Sequence, residues 1–418
     1  MRRVVVAAIA ALAWPGAAHA GEESLTFTTG PVMIKPYFTA QGAMRAPSPT
    51  VDGYVTGITV QVVDTAGNAL GPQDVMLHHV VFAKVARRDL TCGSFGGLPA
   101  ERFFAQGEER YSLAFPAGYG YPNAGADIWG MVYMLMNHHK RTETVHVRYT
   151  VRYVTDEQLT PVTPVWLDIR NCSPDPVWDV PGTGGRGSTS TRSVDYAMPM
   201  SGRLVAGGAH LHGGGVKLEL ADATCARTLF TSLPTWKNLQ PKPLLHEEGP
   251  SHMSAFVTPE GLPVAAGDRL RLSAVYDNSI PHTRVMGIMM VYLAQAEVTG
   301  CPDVPAPVID LGEPSAPPLL KLPLPTQPRG PAKRVTKTWV GDYKFGQPRV
   351  TLRPGTRFTW QFIGSEDHNV TLANGPVGFS SPSLRGGATF SYRFARAGRY
   401  ELFCSLHPVA MSQVVTVR

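Results

Sequence analysis

The chain has 418 residues, a net charge of +6, and 17% charged against 43% hydrophobic residues, the balance of a folded protein with several cores rather than a disordered one. Gly (42) and Pro (37) are abundant, helical periodicity is absent and short alternating segments recur, so a helical fold is excluded in favour of an all-β one. Residues 335–418 hold ten Lys/Arg against four Asp/Glu, which accounts for the whole net charge, and no aromatic–basic interleaving suggests nucleic acid.

The first 20 residues read as a secretory signal: Arg2 and Arg3, an apolar run Val4 to Leu12, then Ala18-His19-Ala20 as a small-residue cleavage site. The apolar run is too short to span a bilayer, and no later stretch is apolar for long enough. The expected location is therefore secreted, extracellular or periplasmic.

Residues 21–180 form the first expected sandwich. "TVHVRYTVRYV" puts Val145, Val147, Tyr149, Val151 and Tyr153 on one face of a strand and leaves His146 on the solvated side. "MLHHVVF" carries His78 and His79, and "IWGMVYMLMNHH" ends in His138 and His139. Adjacent strand residues point to opposite faces, so two neighbouring histidines share an ion only if the strand bulges. His138 is the expected third ligand of that set, with His139 second in line, and the intervening methionines read as core filling.

The small-residue run "PGTGGRGSTSTRS" marks the break before a second sandwich at 190–300. There "AHLHGGG" places His210 and His212 on the same face, and a later strand offers Met286 and a nearby His282. Two imidazoles and a thioether suit Cu(I). Residues 301–334 are Pro-rich and read as an extended, semi-rigid linker.

In the last segment, 335–418, Phe358, Trp360 and Phe362 share a face, as do Phe390, Tyr392 and Phe394, and Tyr400, Leu402 and Cys404. Cys404, His407 and Met411 crowd one short loop, and "SEDHNVTL" supplies His368 from upstream. A thiolate, two imidazoles and a weak thioether make an electron-transfer copper site. With Cys404 committed to metal, Cys92, Cys172, Cys225 and Cys301 remain for two disulfides in three possible pairings. The pairing Cys92–Cys172 and Cys225–Cys301 keeps each bridge within one segment.

The last segment resembles the plastocyanin–azurin family of blue copper proteins, the cupredoxins, over its whole length. Residues from about 60 to 295 resemble, in short motifs and their order, the copper type II ascorbate-dependent monooxygenases, the peptidylglycine alpha-hydroxylating and dopamine beta-monooxygenase family. That second resemblance implies two consecutive jelly-roll-like β-sandwiches before the Greek-key cupredoxin sandwich. It also implies an electron-supplying copper at His78, His79 and His138, and an oxygen-activating copper at His210, His212 and Met286. Met286 is followed by "GIMMVYL", without the polar and aromatic residues of those enzymes, and "AGGA" before His210 holds no arginine for a substrate carboxylate.

The expectation is an exported copper redox protein whose blue copper domain is tethered to a module able to hydroxylate a C–H bond with dioxygen. The alternatives are an electron carrier in which only the blue copper is redox-active, or a copper store. A redox partner protein or small reductant is expected, with the basic last segment as its docking surface.

Overall fold

The computed structural model describes residues 21–95, 97–109, 111–237, 247–319, 323–341 and 343–418, so the expected signal peptide at 1–20 lies outside the described residues. Alternation fixes the first sandwich. In strand Glu143–Val154, Val145, Val147, Tyr149, Val151 and Tyr153 are at most 1% exposed, while His146 is only half-buried on the opposite face. This strand lies between Glu23–Ile34 and Gly53–Asp64, both antiparallel to it. A four-stranded sheet, ordered Thr39–Ala46, Trp129–Asn137, Val75–Val85 and Ala100–Gly107, closes the same core.

Strands Thr160–Asp168, Gly287–Gln295 and Gly202–Leu211 continue the first sheet, which with Leu113–Ala114, Tyr119–Asn123, Ala255–Val264 and Val308–Asp310 has ten strands. Their sequences read as nearly continuous apolar runs because both of their faces are covered. Met286, Ile288, Met290 and Tyr292 face the first core, whereas Met289, Val291 and Leu293 face the second. A second four-stranded sheet, ordered Thr189–Ala197, Arg269–Asp277, Gly215–Asp222 and Arg227–Ser232, covers that other face. The two sandwiches therefore share a wall.

That sharing moves the boundary expected near 180–190. Val165, Leu167, Ile169, Trp178 and Val180 already belong to the second core. Within the run Pro181–Ser193, residues 181–188 are a loop inside the second sandwich and 189–193 already belong to its strand Thr189–Ala197, so the break in composition is not a boundary. The Pro-rich stretch is also less of a free spacer than its composition suggests. Val308–Asp310 adds to the edge of strand Ala255–Val264, and Thr326 donates to the carbonyl of Val409 at 2.7 Å.

The last segment is a sandwich of two four-stranded sheets. Phe358, Trp360, Phe362, Tyr400, Leu402 and Cys404 fill its core, and the indole N–H of Trp360 donates to Gln413 Oε1 at 2.8 Å. This sandwich docks on both others. Asp179 accepts the Ser380 N–H at 2.7 Å and its hydroxyl at 2.8 Å, the Gly378 N–H donates to the Pro181 carbonyl, and Thr283 donates to the Leu372 carbonyl.

Among the described residues there is no helix, and the chain is all-β. The disulfides are Cys92–Cys172 and Cys225–Cys301, and Cys404 is a free, fully buried thiol. Thiol titration without reductant is expected to find one reactive group per chain in denaturant and almost none in the folded, metal-free protein. Peptide mapping should place that group at Cys404.

Candidate functional site

The last sandwich gathers the first donor set. His368 Nδ1 and His407 Nδ1 are 3.1 Å apart, and Cys404 Sγ lies 3.6 Å from His407 Nδ1. Donor atoms of these three residues all fall within 4.8 Å of one another. The loop is tight because the Met411 N–H donates to the His407 carbonyl at 3.0 Å and the Cys404 N–H to the Met411 carbonyl at 3.2 Å. Met411 is fully buried in the same core. Asn369 braces the site: its backbone N–H donates to Cys404 Sγ at 3.4 Å, its side-chain amide donates to Ser405 Oγ, and its Oδ1 accepts the Ser405 N–H.

Burial pushes the Cys404 thiol up, although N–H groups from Asn369, Leu406 and His407 work against this. Burial, and then the neighbouring His368, press His407 down to about 4. Two buried imidazoles beside a buried sulfur are donors suited to a soft cation, and the set fits copper.

The second donor set departs from the sequence expectation. Strand Val75–Val85 slips register against Trp129–Asn137 between Leu77 and His79, the bulge that adjacent histidines need to face one way. His78 Nδ1 and His79 Nδ1 are then 3.1 Å apart. The ring of His78 meets that of His212 at 4.9 Å, and His212 meets His210 at 5.0 Å. Ala209 and Leu211 face the second core, so His210 and His212 alternate onto the opposite face, toward the first sandwich. The two histidine pairs thus line one cavity together with Met286.

His138 does not join them. Its backbone N–H donates to the Asp74 carbonyl at 3.0 Å, four strand positions from His78 and so about 13 Å along the chain. Met134, which pairs with His79, lines the cavity instead. His139 is held by Glu143 and Asp74, and His282 sits between Glu247 and Asp277, so both are engaged in ion pairs.

Residues that gave no signal in the sequence hold His210 and His212. Glu109, almost fully buried, accepts His210 Nδ1–H at 2.8 Å and the Gly107 N–H at 2.7 Å. A Cβ at Gly107 would stand 2.6 Å from the His210 ring, so only glycine permits that approach. His210 Nε2 is buried without a hydrogen-bond partner. Burial works against a charged His210, but Glu109 and Glu108 outweigh it and hold its pKa above the ordinary value. Burial and then His210 press His79 down to about 4. His212 Nδ1–H donates to the Arg284 carbonyl at 2.9 Å, and its backbone N–H to Tyr276 Oη. Both outer partners fix which ring nitrogen stays available as a ligand. Four imidazoles and a thioether, one with an orphaned buried nitrogen, fit copper as well.

One cavity of about 920 Å³ reaches from these histidines to the edge of His407. There Phe38 and Tyr343 pack on the His407 ring at 4.9 and 4.7 Å, and the Thr39 N–H donates to the Leu406 carbonyl at 3.1 Å. The His407 edge is therefore covered by the first sandwich. With copper loaded, the protein is expected to be strongly coloured through its thiolate. Cys404→Ser should abolish that absorption, whereas Met411→Leu should keep the colour and raise the reduction potential. Visible spectra and redox titration check both outcomes.

Similarity to known proteins agrees with this chemistry. The family described as "Stress up-regulated Nod 19" matches residues 133–296, a span that contains His210, His212 and Met286. Over 218 residues the chain is 28% identical to "Probable copper-dependent oxygenase clz3" of Cochliobolus lunatus, covering 49% of this chain. Over 238 residues it is 26% identical to "Probable copper-dependent oxygenase M1" of a Phoma species, covering 52% of this chain. It spans 64% and 58% of the length of these two proteins. Over 83 residues, 19% of the chain, it is 31% identical to amicyanin-alpha of Methylorubrum extorquens and covers 70% of that protein. The chain is thus a relative of copper-binding redox proteins, homologous to copper-dependent oxygenases over about half its length, and it belongs to the amicyanin family of cupredoxins.

Proposed function

We propose that the chain is an exported copper-dependent oxygenase that carries its own electron-transfer centre and hydroxylates a C–H bond. The single observation that supports this reading is the cavity shared by the four histidines, Met286 and the covered edge of His407. Bound copper would supply one-electron transfer at Cys404, His368, His407 and Met411, and dioxygen chemistry at His78, His79, His210, His212 and Met286.

The protein's own residues do the rest. Glu109 and the Arg284 carbonyl accept the Nδ1 protons of His210 and His212, so Nε2 is the nitrogen each ring would offer to a metal. Phe38 and Tyr343 shield His407 from solvent. Backbone contact is short across the interface: Leu406 bonds to Thr39, in the strand whose Gln41 pairs with Met134, and Met134 pairs with His79. Val132, Met134, Ile288 and Met290 give the cavity apolar walls, which favour an apolar substrate and limit water.

Because the His407 edge faces inward, an external donor, protein or small reductant, would deliver electrons elsewhere on the last sandwich. Its excess of basic residues would favour an acidic partner. The two disulfides support an oxidising compartment.

The test combines copper stoichiometry with oxygen uptake driven by a reductant. His212→Ala is expected to lose copper beyond the coloured centre, keep the thiolate absorption, and lower oxygen uptake at least tenfold. One copper per chain in wild type, or uptake unchanged in His212→Ala, would leave only the electron carrier.

A further inference from the structure

We infer that the cavity holds, at the end remote from His79, a binding site for a neutral carbonyl oxygen carried by an otherwise apolar molecule, with Arg102 as the donor. This rests on the oxygenase reading above and narrows its substrate class.

Arg102 belongs to strand Ala100–Gly107 and lines the cavity, yet its side chain is only 5% exposed. Its Nε–H donates to Asp89 Oδ2 at 2.6 Å. Its guanidinium lies 4.1 Å from the Trp166 ring centre and 5.1 Å from that of Phe95, which fixes its plane. Nη2 is buried and has no hydrogen-bond partner. A buried guanidinium N–H without an acceptor is costly and rarely kept without a reason. An oxygen atom of a molecule in the cavity would satisfy it.

Charge decides which oxygen. The guanidinium is already paired with Asp89, itself buried, and the buried Asp168 carboxyl is close enough to feel the same positive charge. A carboxylate ligand would leave the pocket with uncompensated negative charge in a poorly solvated place. A ketone, ester or amide oxygen adds none.

Register sets the length. His79 pairs with Gly107 and Ala83 with Arg102, so four strand positions separate them, about 13 Å. Val81 and Ala105 line the stretch between. A molecule held by its oxygen at Arg102 would present a distant carbon to the four imidazoles.

The experiment titrates the full-length, copper-free protein with two probes of equal chain length, 2-decanone and decanoate, by calorimetry and tryptophan fluorescence. The ketone is expected to bind at least tenfold more tightly than decanoate. Arg102→Lys keeps a cation beside Asp89 but loses the second N–H, and should weaken the ketone about tenfold while leaving decanoate weak. Arg102→Met combined with Asp89→Asn removes the buried pair together and should give the same loss, with the melting temperature reporting that each variant is folded. Equal or tighter binding of decanoate, or ketone affinity unchanged in both variants, overturns the site. Because copper is absent, ketone binding that persists in a protein with no oxygen uptake would defeat the oxygenase reading and leave this site standing.

Discussion

Everything at the candidate site follows from one packing constraint: strands Gly202–Leu211 and Gly287–Gln295 are buried on both faces. Their odd and even residues serve different cores. Had they formed the outer wall of an isolated sandwich, His210 and His212 would face solvent or their own core. Sharing a wall turns them toward the bulged strand of the first sandwich, where His78 and His79 wait. The meeting of four imidazoles is thus a property of sheet stacking, and no local motif contains it.

Once assembled, such a cluster has to be stabilised against its own chemistry. Four adjacent imidazoles cannot all carry protons, and burial presses His79 down. Glu109 is the exception that organises the rest, a buried carboxylate whose partner is one ring and one backbone N–H. Its burial is tolerable because both oxygens are used. The cupredoxin end works without a counter-charge, since a sulfur braced by N–H groups, a depressed His407 and the neighbouring His368 serve a cation directly.

How far the sequence foretold this depends on the range over which each feature is determined. Alternation and a single short loop were enough for the last sandwich, because Cys404, His407 and Met411 are neighbours and His368 comes just before the strand Thr371–Asn374 that pairs with Gly398–Phe403. Counting left three pairings of four cysteines, and keeping each bridge within one segment singled out the pairing the structure has. The bulge at His78 was legible because two adjacent histidines demand it. The grouping of His78 and His79 with His138 was not sound, since the strand end is about 13 Å away, and the division near Pro181 mistook a loop for a boundary. Glu109, Arg102, Phe38 and Arg284 left no trace in their local sequences. Each acquires its role from a residue dozens or hundreds of positions away.

Arg284 shows what this architecture costs in independence. It sits in left-handed backbone conformation, its carbonyl orients His212, and its guanidinium reaches the Ser381 carbonyl and Asp175. One residue therefore touches the histidine cluster and the cupredoxin sandwich together. The cupredoxin is also part of the cavity's enclosure, through Tyr343, Leu406 and His407. A chain cut at the Pro-rich stretch would lose more than a redox centre: it would be left with an open, sticky trough, prone to self-association. The last sandwich is a wall of the cavity as well as the holder of its own donor set, so removing it would alter both.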